Sequence, residues 1–383
     1  NVEGHGLYPE LIERLAGRGV RLLLTTDGCT ANAAEVAQAE SLGMDVYVTD
    51  HHVLAEGRTA VPNLVNPMVD PTTAERYGDL TGAGVAAWLA RELLERGGMP
   101  EPYDALFDLV ALGTIADYGD VGRNNRPLLV PGLQACARGD RAAVDIAMRR
   151  LEIGDPFNDR EARRLAGVFA AIPSIHGESR GLAALLGRDG WRRDVDALTG
   201  AYLGAEETVR RAVESARAQA EQEGIFAGAP AVLRQDELGH RYLGAVAGAL
   251  MRETGRPAAV LARKGDTVVA ELRGPEHVHL VEVLGELRDQ LDSWGGHRRA
   301  AGFSASADRL EALTLALRDR LDVAAREPDP EAADLDLDTA DITPEFLDAL
   351  AATRPWGNGN AAPTFRVENR LVTAEELLGR RLS

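Results

Sequence analysis

Met44-Asp45-Val46-Tyr47-Val48-Thr49-Asp50-His51-His52 is an apolar run of strand length that ends on three adjacent polar residues. The run reads as a short buried strand. A second such strand, Leu22-Leu23-Leu24-Thr25-Thr26-Asp27, precedes it and also ends on an aspartate. Between them, Ala31 to Leu42 carries helix formers with an apolar stripe of Ala34, Val36, Ala37 and Leu42. Strand, helix, strand implies a parallel pair, and ligands of open parallel sheets gather at the carboxyl ends of the strands. Asp27 and the Asp50-His51-His52 cluster are therefore expected at one sheet edge. A lone strand-end aspartate is ordinarily a turn former or a helix N-cap. Asp-His-His is poor loop punctuation and good ligand chemistry. Carboxylates and imidazoles together suit Mn²⁺ or Mg²⁺ better than a structural zinc.

Asp108-Leu109-Val110-Ala111-Leu112-Gly113-Thr114-Ile115-Ala116-Asp117 reads as a third apolar strand with an aspartate at its end. Asp117 thus joins the same edge. These three positions resemble the second, third and fourth motifs of the DHH phosphoesterase superfamily. Trp294-Gly295-Gly296-His297-Arg298-Arg299-Ala300-Ala301-Gly302-Phe303 is similar to the GGGH-type loop of the DHH-associated (DHHA1) domain. The two signatures lie about 245 residues apart and in the family's order.

Within the superfamily the chain most resembles the RecJ family, single-strand-specific 5′→3′ DNA exonucleases. Thr81-Gly82-Ala83-Gly84-Val85, Ile172-Pro173-Ser174-Ile175-His176-Gly177-Glu178-Ser179-Arg180 and Pro355-Trp356-Gly357-Asn358-Gly359-Asn360 each resemble a RecJ segment. The last of these resembles the opening of RecJ's oligonucleotide-binding domain. Several positions depart from the pattern. Asp27-Gly28-Cys29 reverses the usual Asp-Cys-Gly, Asp117-Tyr118-Gly119-Asp120 replaces a more apolar stretch, and His176 stands for an asparagine. The family's first motif, Asp-x-Asp, has no counterpart after Asn1. A chain cut at both ends is the expectation, with at most one tightly held ion and little activity of its own.

Composition bounds the reading. At 383 residues the chain is too long for one ordinary core. Its longest apolar runs are of strand length, so no membrane span is expected. Two cysteines, Cys29 and Cys136, give no disulfide framework and suit a reducing cytoplasm. Cys29, close to a proposed ligand, reads as packing, because thiolate is soft and the other ligands are hard. The net charge of −18 argues at first against nucleic acid. Nine acidic and no basic residues fall between Glu327 and Asp348, so half the excess sits in one linker-like stretch. A surface for DNA must therefore be local. All basic residues but Lys264 are arginines, whose guanidinium suits bidentate phosphate contacts.

The expected architecture is α/β: a parallel-sheet DHH domain over 1–125, a helical connector over 126–228, a smaller α/β DHHA1 domain over 229–326, and from 327 an acidic linker and the start of an OB-like β domain. The stretch from Glu206 to Glu223 is too polar for a core helix and reads as an exposed connector. The third region should hold a strand at Pro230–Leu233, a helix at Leu243–Thr254, strands at Ala258–Ala262 and Thr267–Leu272, and a helix from Ala307 to about Ala325.

Phosphodiester hydrolysis needs a nucleophile at neutral pH and neutralisation of charge on the phosphoryl group, which two divalent ions about 3.5–4 Å apart can supply. The resemblance implies that Asp27, His51 and Asp117 are metal ligands, with Asp27 bridging two ions in the complete family pattern. It implies that Asp50 orients an imidazole and that His52 contacts the scissile phosphate or the leaving oxygen. Gly295 and Gly296 would admit a phosphate, with His297 and Arg298 supplying charge there and His297 assisting catalysis. Arg180 and Arg273 match substrate-phosphate arginines. Single-stranded DNA is the implied partner, together with a helicase or single-strand-binding protein, and a monomer is expected. Another DHH phosphoesterase acting on short oligonucleotides or cyclic dinucleotides, and a non-catalytic helicase-associated scaffold of the same fold, are the alternatives. Any single-strand affinity is expected to fall steeply with salt.

Overall fold

The computed structural model describes residues 6–54, 59–98, 103–154, 157–172, 179–222, 230–275, 277–325 and 334–367. Residues 173–178, among them His176, and the start of the acidic stretch, 327–333, lie outside these. Two compact units emerge: one joins 1–202 with 333–383, the other is 203–332.

The first unit opens with α1 (Pro9–Gly17), β1 (Leu22–Thr26), α2 (Ala33–Ser41), β2 (Asp45–Thr49) and β3 (Leu64–Val65). The strands form a parallel sheet in the order β1-β2-β3. Alternation along β2 turns Val46 and Val48 inward, where they pack with Ile12 of α1 and Val36 and Ala39 of α2. The intervening residues point the other way. Leu22, Leu24 and Tyr47 are 61%, 51% and 51% exposed, so these strands are covered on one face rather than buried on both.

After α3 (Pro71–Tyr77), Thr81 caps α4 (Gly82–Gly97), its hydroxyl accepting the Gly84 N–H at 3.2 Å. The run from Asp108 is not a strand. It forms α5 (Phe107–Ala116), against the expectation. A uniformly apolar run has no periodicity to separate strand from helix, and length was the remaining cue: ten residues exceed a usual strand. Val110, Ala111, Leu112 and Ile115 are all buried, as a helix surrounded by other helices requires. Asp117 is its C-cap.

α6 (Arg126–Arg138), α7 (Ala142–Arg150), α8 (Asp159–Ala170), α9 (Arg180–Leu185) and the start of α10 (Trp191–Gln222) pack with α5 around Leu129, Val144, Leu165 and Leu198. One buried ion pair ties this bundle. Asp108, 4% exposed, receives a bidentate contact from Arg141, whose remaining N–H groups donate to the carbonyls of Leu185 at 2.9 Å and Ala105 at 3.1 Å. Removing one partner strands the other charge in the interior. Arg141→Ala should therefore cost about 3–5 kcal/mol in urea unfolding; a cost within about 1 kcal/mol, the size of an exposed pair, would contradict this account.

In the second unit the later turns of α10 pack through Val213, Ala216 and Ala220. Then follow β4 (Ala231–Arg234), α11 (Leu243–Thr254), β5 (Ala258–Lys264), β6 (Thr267–Arg273), α12 (Leu280–Glu286), β7 (Ser293–His297), β8 (Ala300–Ser306) and α13 (Leu310–Ala324). The sheet order is β4-β5-β6-β8-β7, parallel between β4 and β5 and antiparallel elsewhere. One face packs on Leu313, Leu317 and Leu321 of α13, the other on Val246 and Leu250 of α11. Gly295 and Gly296, expected in a loop, lie instead within β7, paired with Gly302 and Ala301 of β8. Glycine permits this because Gly296 has φ +135°, and a Cβ there would overlap the Ala300 carbonyl across the ladder.

The chain then returns to the first unit with β9 (Leu335–Asp336), α14 (Pro344–Ala352) and β10 (Phe365–Arg366); β9 and β10 pair in parallel. No described helix is long and apolar enough to cross a membrane.

Candidate metal centre

The carboxyl ends of β1 and β2 bring the expected cluster together. Asp27 follows β1 in the left-handed region, φ +60°, which aspartate tolerates better than most residues. Its N–H donates to the Thr49 carbonyl at 2.9 Å, carrying the ladder past the strand end. The first residue of α4, Gly82, faces this carboxylate so closely that any Cβ would overlap it. That contact was not legible in the Thr81-Gly82-Ala83-Gly84 segment.

Asp50 lies beneath the cluster, 1% exposed. Its Oδ2 accepts from the Thr30 N–H at 3.1 Å and the Thr30 hydroxyl at 2.5 Å. Its Oδ1 accepts from the N–H groups of His51 at 2.7 Å and His52 at 3.2 Å, and stands 2.8 Å from His52 Nδ1. Asn66, also buried, locks the frame by donating to Thr30 Oγ1 at 2.9 Å and to the His52 carbonyl at 3.0 Å. Next to a carboxylate, Nδ1 carries the proton, which leaves His52 Nε2 directed outward. Burial alone would raise the Asp50 pKa, but the hydrogen bonds from Thr30, His52 and the backbone outweigh it and hold the group at about 2.

A carboxyl depressed in this way stabilises the fold above its ordinary pKa near 3.9, and that contribution is lost as pH falls through about 2. Asp50→Asn should therefore cost roughly 2 kcal/mol at pH 6 and much less at pH 2.5, measured by urea unfolding of both proteins. The same cost at both pH values would refute the assignment.

His51 closes the site from above. Its Nε2 stands 3.0 Å from Asp27 Oδ1 and 3.6 Å from Asp117 Oδ2. This nitrogen is buried, yet neither carboxylate lies in hydrogen-bonding alignment with it. Side-chain pairing with the His51 imidazole holds the Asp27 carboxyl below its usual range, and the same pairing raises the His51 pKa. A buried imidazole nitrogen left unsatisfied between two carboxylates fits a divalent cation, and the mixed N/O donor set fits Mn²⁺ or Mg²⁺. Ligand atoms of Asp27, His51 and His52 lie within 4.8 Å of one another, so His52 also borders the position. Asp117, at the C-terminus of α5 where Tyr118 takes φ +53° to turn the chain, stands beside His51 but outside this group of three.

The other expected residues lie elsewhere. Arg180 opens α9, with Nε 3.8 Å from Asp194 Oδ1. Arg273, Gly295 and Gly296 line a cavity of about 550 Å³ in the second unit, with Trp294, His240 and Glu271 among its other walls. Arg273 Nη1 donates to Glu271 Oε2 at 3.0 Å and to the Leu272 carbonyl at 2.8 Å. Glu271, beside Arg273 in that wall, was not expected there; its alternation with buried Leu272 along β6 was the available signal. His297 ends β7, and Arg298, exposed, follows it. Cys29, half-buried, packs with the sheet core as expected, and burial raises its thiol pKa.

Comparisons with known proteins bear on this arrangement. Three family profiles match: the DHH family N-terminal domain over residues 5–114, the DHHA1 domain over 229–322 and the RecJ OB domain over 333–382. The single-stranded-DNA-specific exonuclease RecJ of Thermus thermophilus is 33% identical over 373 residues, covering 95% of this chain and 53% of that protein. Its crystal structure with Mn²⁺ is similar with a TM-score of 0.72, at 29% identity over 95% of this chain and 54% of that one. A second structure, of exonuclease RecJ bound to manganese, gives 31% identity and a TM-score of 0.61 over 86% of this chain and 82% of that one. The chain spans about half the length of the Bacillus subtilis and Thermus relatives, 48% and 53%.

Proposed function

This chain belongs to the RecJ family of DHH phosphoesterases, and on that premise we propose that it hydrolyses the phosphodiester bonds of single-stranded DNA from the 5′ end, in DNA repair and recombination, with Mn²⁺ or Mg²⁺ held by Asp27, His51 and Asp117. The observation that carries this reading is the buried, unsatisfied His51 Nε2 between two carboxylates. A bound ion supplies Lewis acidity, neutralising charge on a phosphoryl oxygen and lowering the pKa of water.

The rest of the chemistry belongs to the chain. Asp50 fixes the tautomer of His52, whose Nε2 is then free to meet the scissile phosphate or the leaving oxygen. In the second unit, the glycines of β7 leave room for a phosphate beside the Arg273 guanidinium, which Glu271 holds in place. Arg298 adds charge just past that strand, and the family resemblance gives His297 and Arg180 roles toward the substrate as well. Confinement of DNA to such local patches reconciles the substrate with a net charge of −18. Helicase or single-strand-binding partners and a monomeric state follow from the family resemblance. Cytoplasmic location rests on the two free cysteines and on the substrate.

The test is digestion of oligonucleotides labelled at either end. The full-length protein with Mn²⁺ should release mononucleotides first from the 5′ label of a single strand, spare the duplex, and stop on addition of EDTA. Equal digestion in EDTA would overturn the reading.

A further inference from the structure

The turn that carries Asp117 is held by a segment more than two hundred residues away in sequence but in the same unit. After Asp117 the chain runs through Tyr118 and Gly119 to Asp120, whose Oδ1 accepts the Gly122 N–H at 2.6 Å. The Val121 N–H donates to the Asn358 carbonyl at 2.8 Å. Arg126, at the head of α6, donates to the Arg354 carbonyl at 2.8 Å and the Thr353 carbonyl at 3.2 Å. Gly359 sits directly on Asp120, with φ +74°, and a Cβ there would overlap the Asp120 carboxylate. The segment is itself fastened: Asn360 Nδ2 donates to the Thr353 and Pro355 carbonyls at 2.9 and 2.7 Å, and the Trp356 N–H to buried Asp159 at 3.1 Å.

A buried polar chain leads from this contact to the metal centre. Asn125, 1% exposed, donates to the Asp120 carbonyl at 2.8 Å and accepts the Thr81 N–H at 3.3 Å. Thr81 Oγ1 stands 3.1 Å from Thr114 Oγ1 on α5 and precedes Gly82, which abuts Asp27. Nothing in 353–360 contributes a ligand; the segment shapes the loop that does.

We propose that the segment Thr353–Asn360 is a positioning element for Asp117, holding the Asp117–Gly122 turn so that the Asp117 carboxylate meets His51. This rests on the reading of Asp117 as a metal ligand. Such outer partners typically govern 10–100-fold in metal affinity.

The experiment is calorimetric titration of Mn²⁺ into the purified protein and four variants. Asp117→Ala tests the underlying ligand. Gly359→Ala forces a Cβ onto Asp120, and Arg126→Ala removes the two bonds to the Thr353 and Arg354 carbonyls. Thr343→Ala, which removes the N-cap bond to Phe346 at 3.2 Å, loosens α14 without touching Asp120. Gly359→Ala should weaken Mn²⁺ binding about tenfold or more and Arg126→Ala in the same direction, while Thr343→Ala leaves it unchanged. Should Gly359→Ala fail to fold, Arg126→Ala is decisive. Unchanged affinity in the folded positioning variants, with Asp117→Ala weakened, overturns this proposal alone. Equal weakening in Thr343→Ala also overturns it, since general loosening then suffices. Unchanged affinity in Asp117→Ala overturns the ligand reading together with this one.

Discussion

In the full-length protein, Mn²⁺-dependent hydrolysis of single-stranded DNA should fall by about three orders of magnitude or more in His51→Ala, a loss on the order of 4 kcal/mol in the barrier. The imidazole points between Asp27 and Asp117, with Nε2 3.0 and 3.6 Å from their oxygens. The fold should survive, because His51 lies at the sheet edge, outside the hydrophobic clusters. Asp27→Ala should behave alike. Activity within tenfold of the parent protein, at limiting Mn²⁺ and with an unchanged urea midpoint, would contradict the ligand assignment.

Gly82→Ala should be nearly as damaging although it removes no donor. The added methyl would coincide with the Asp27 carboxylate and Cβ, so one of the two must move. Gly82 is held at the start of α4 by the Thr81 cap and by packing against the sheet, whereas Asp27 ends a strand in a strained left-handed turn. The carboxylate is the softer partner. Its displacement should weaken Mn²⁺ binding by about 10–100-fold while leaving helix content intact. The same variant with unaltered Mn²⁺ affinity would mean that Asp27 does not define the ion's position.

Much of this site was legible in sequence because its two anchoring strands are short, parallel and followed directly by their ligands. β1 and β2 fall within a residue or so of the expected runs, and Asp27, Asp50, His51 and His52 stand at their carboxyl ends. Asp117 was expected there from a strand end, and it comes to 3.6 Å from His51 Nε2 by another route. Its segment is a helix, and a helix C-cap delivers a side chain to the sheet edge as well as a strand end would. Uniform hydrophobicity hid the difference. The exposed face of β1 and β2 was hidden too, since an apolar run looks alike whether one face or both are covered. The glycine pair of β7 was expected in a loop from its resemblance to the GGGH-type signature, whereas here it lies in a strand whose missing side chains admit close ladder contacts. Gly82, Asn125 and Gly359 were invisible as supports of the site. Their roles depend on contacts between segments far apart in the chain, which no local pattern encodes.

The most direct test is anomalous diffraction at the manganese edge from crystals of the protein grown or soaked with Mn²⁺. The account predicts one strong peak within bonding distance of Asp27 Oδ1, His51 Nε2 and Asp117 Oδ2, about 2.0–2.6 Å from each as oxygen- and nitrogen-ligated divalent ions require. A Mn²⁺ peak elsewhere, or one that leaves His51 Nε2 without a bond to the ion, would contradict it.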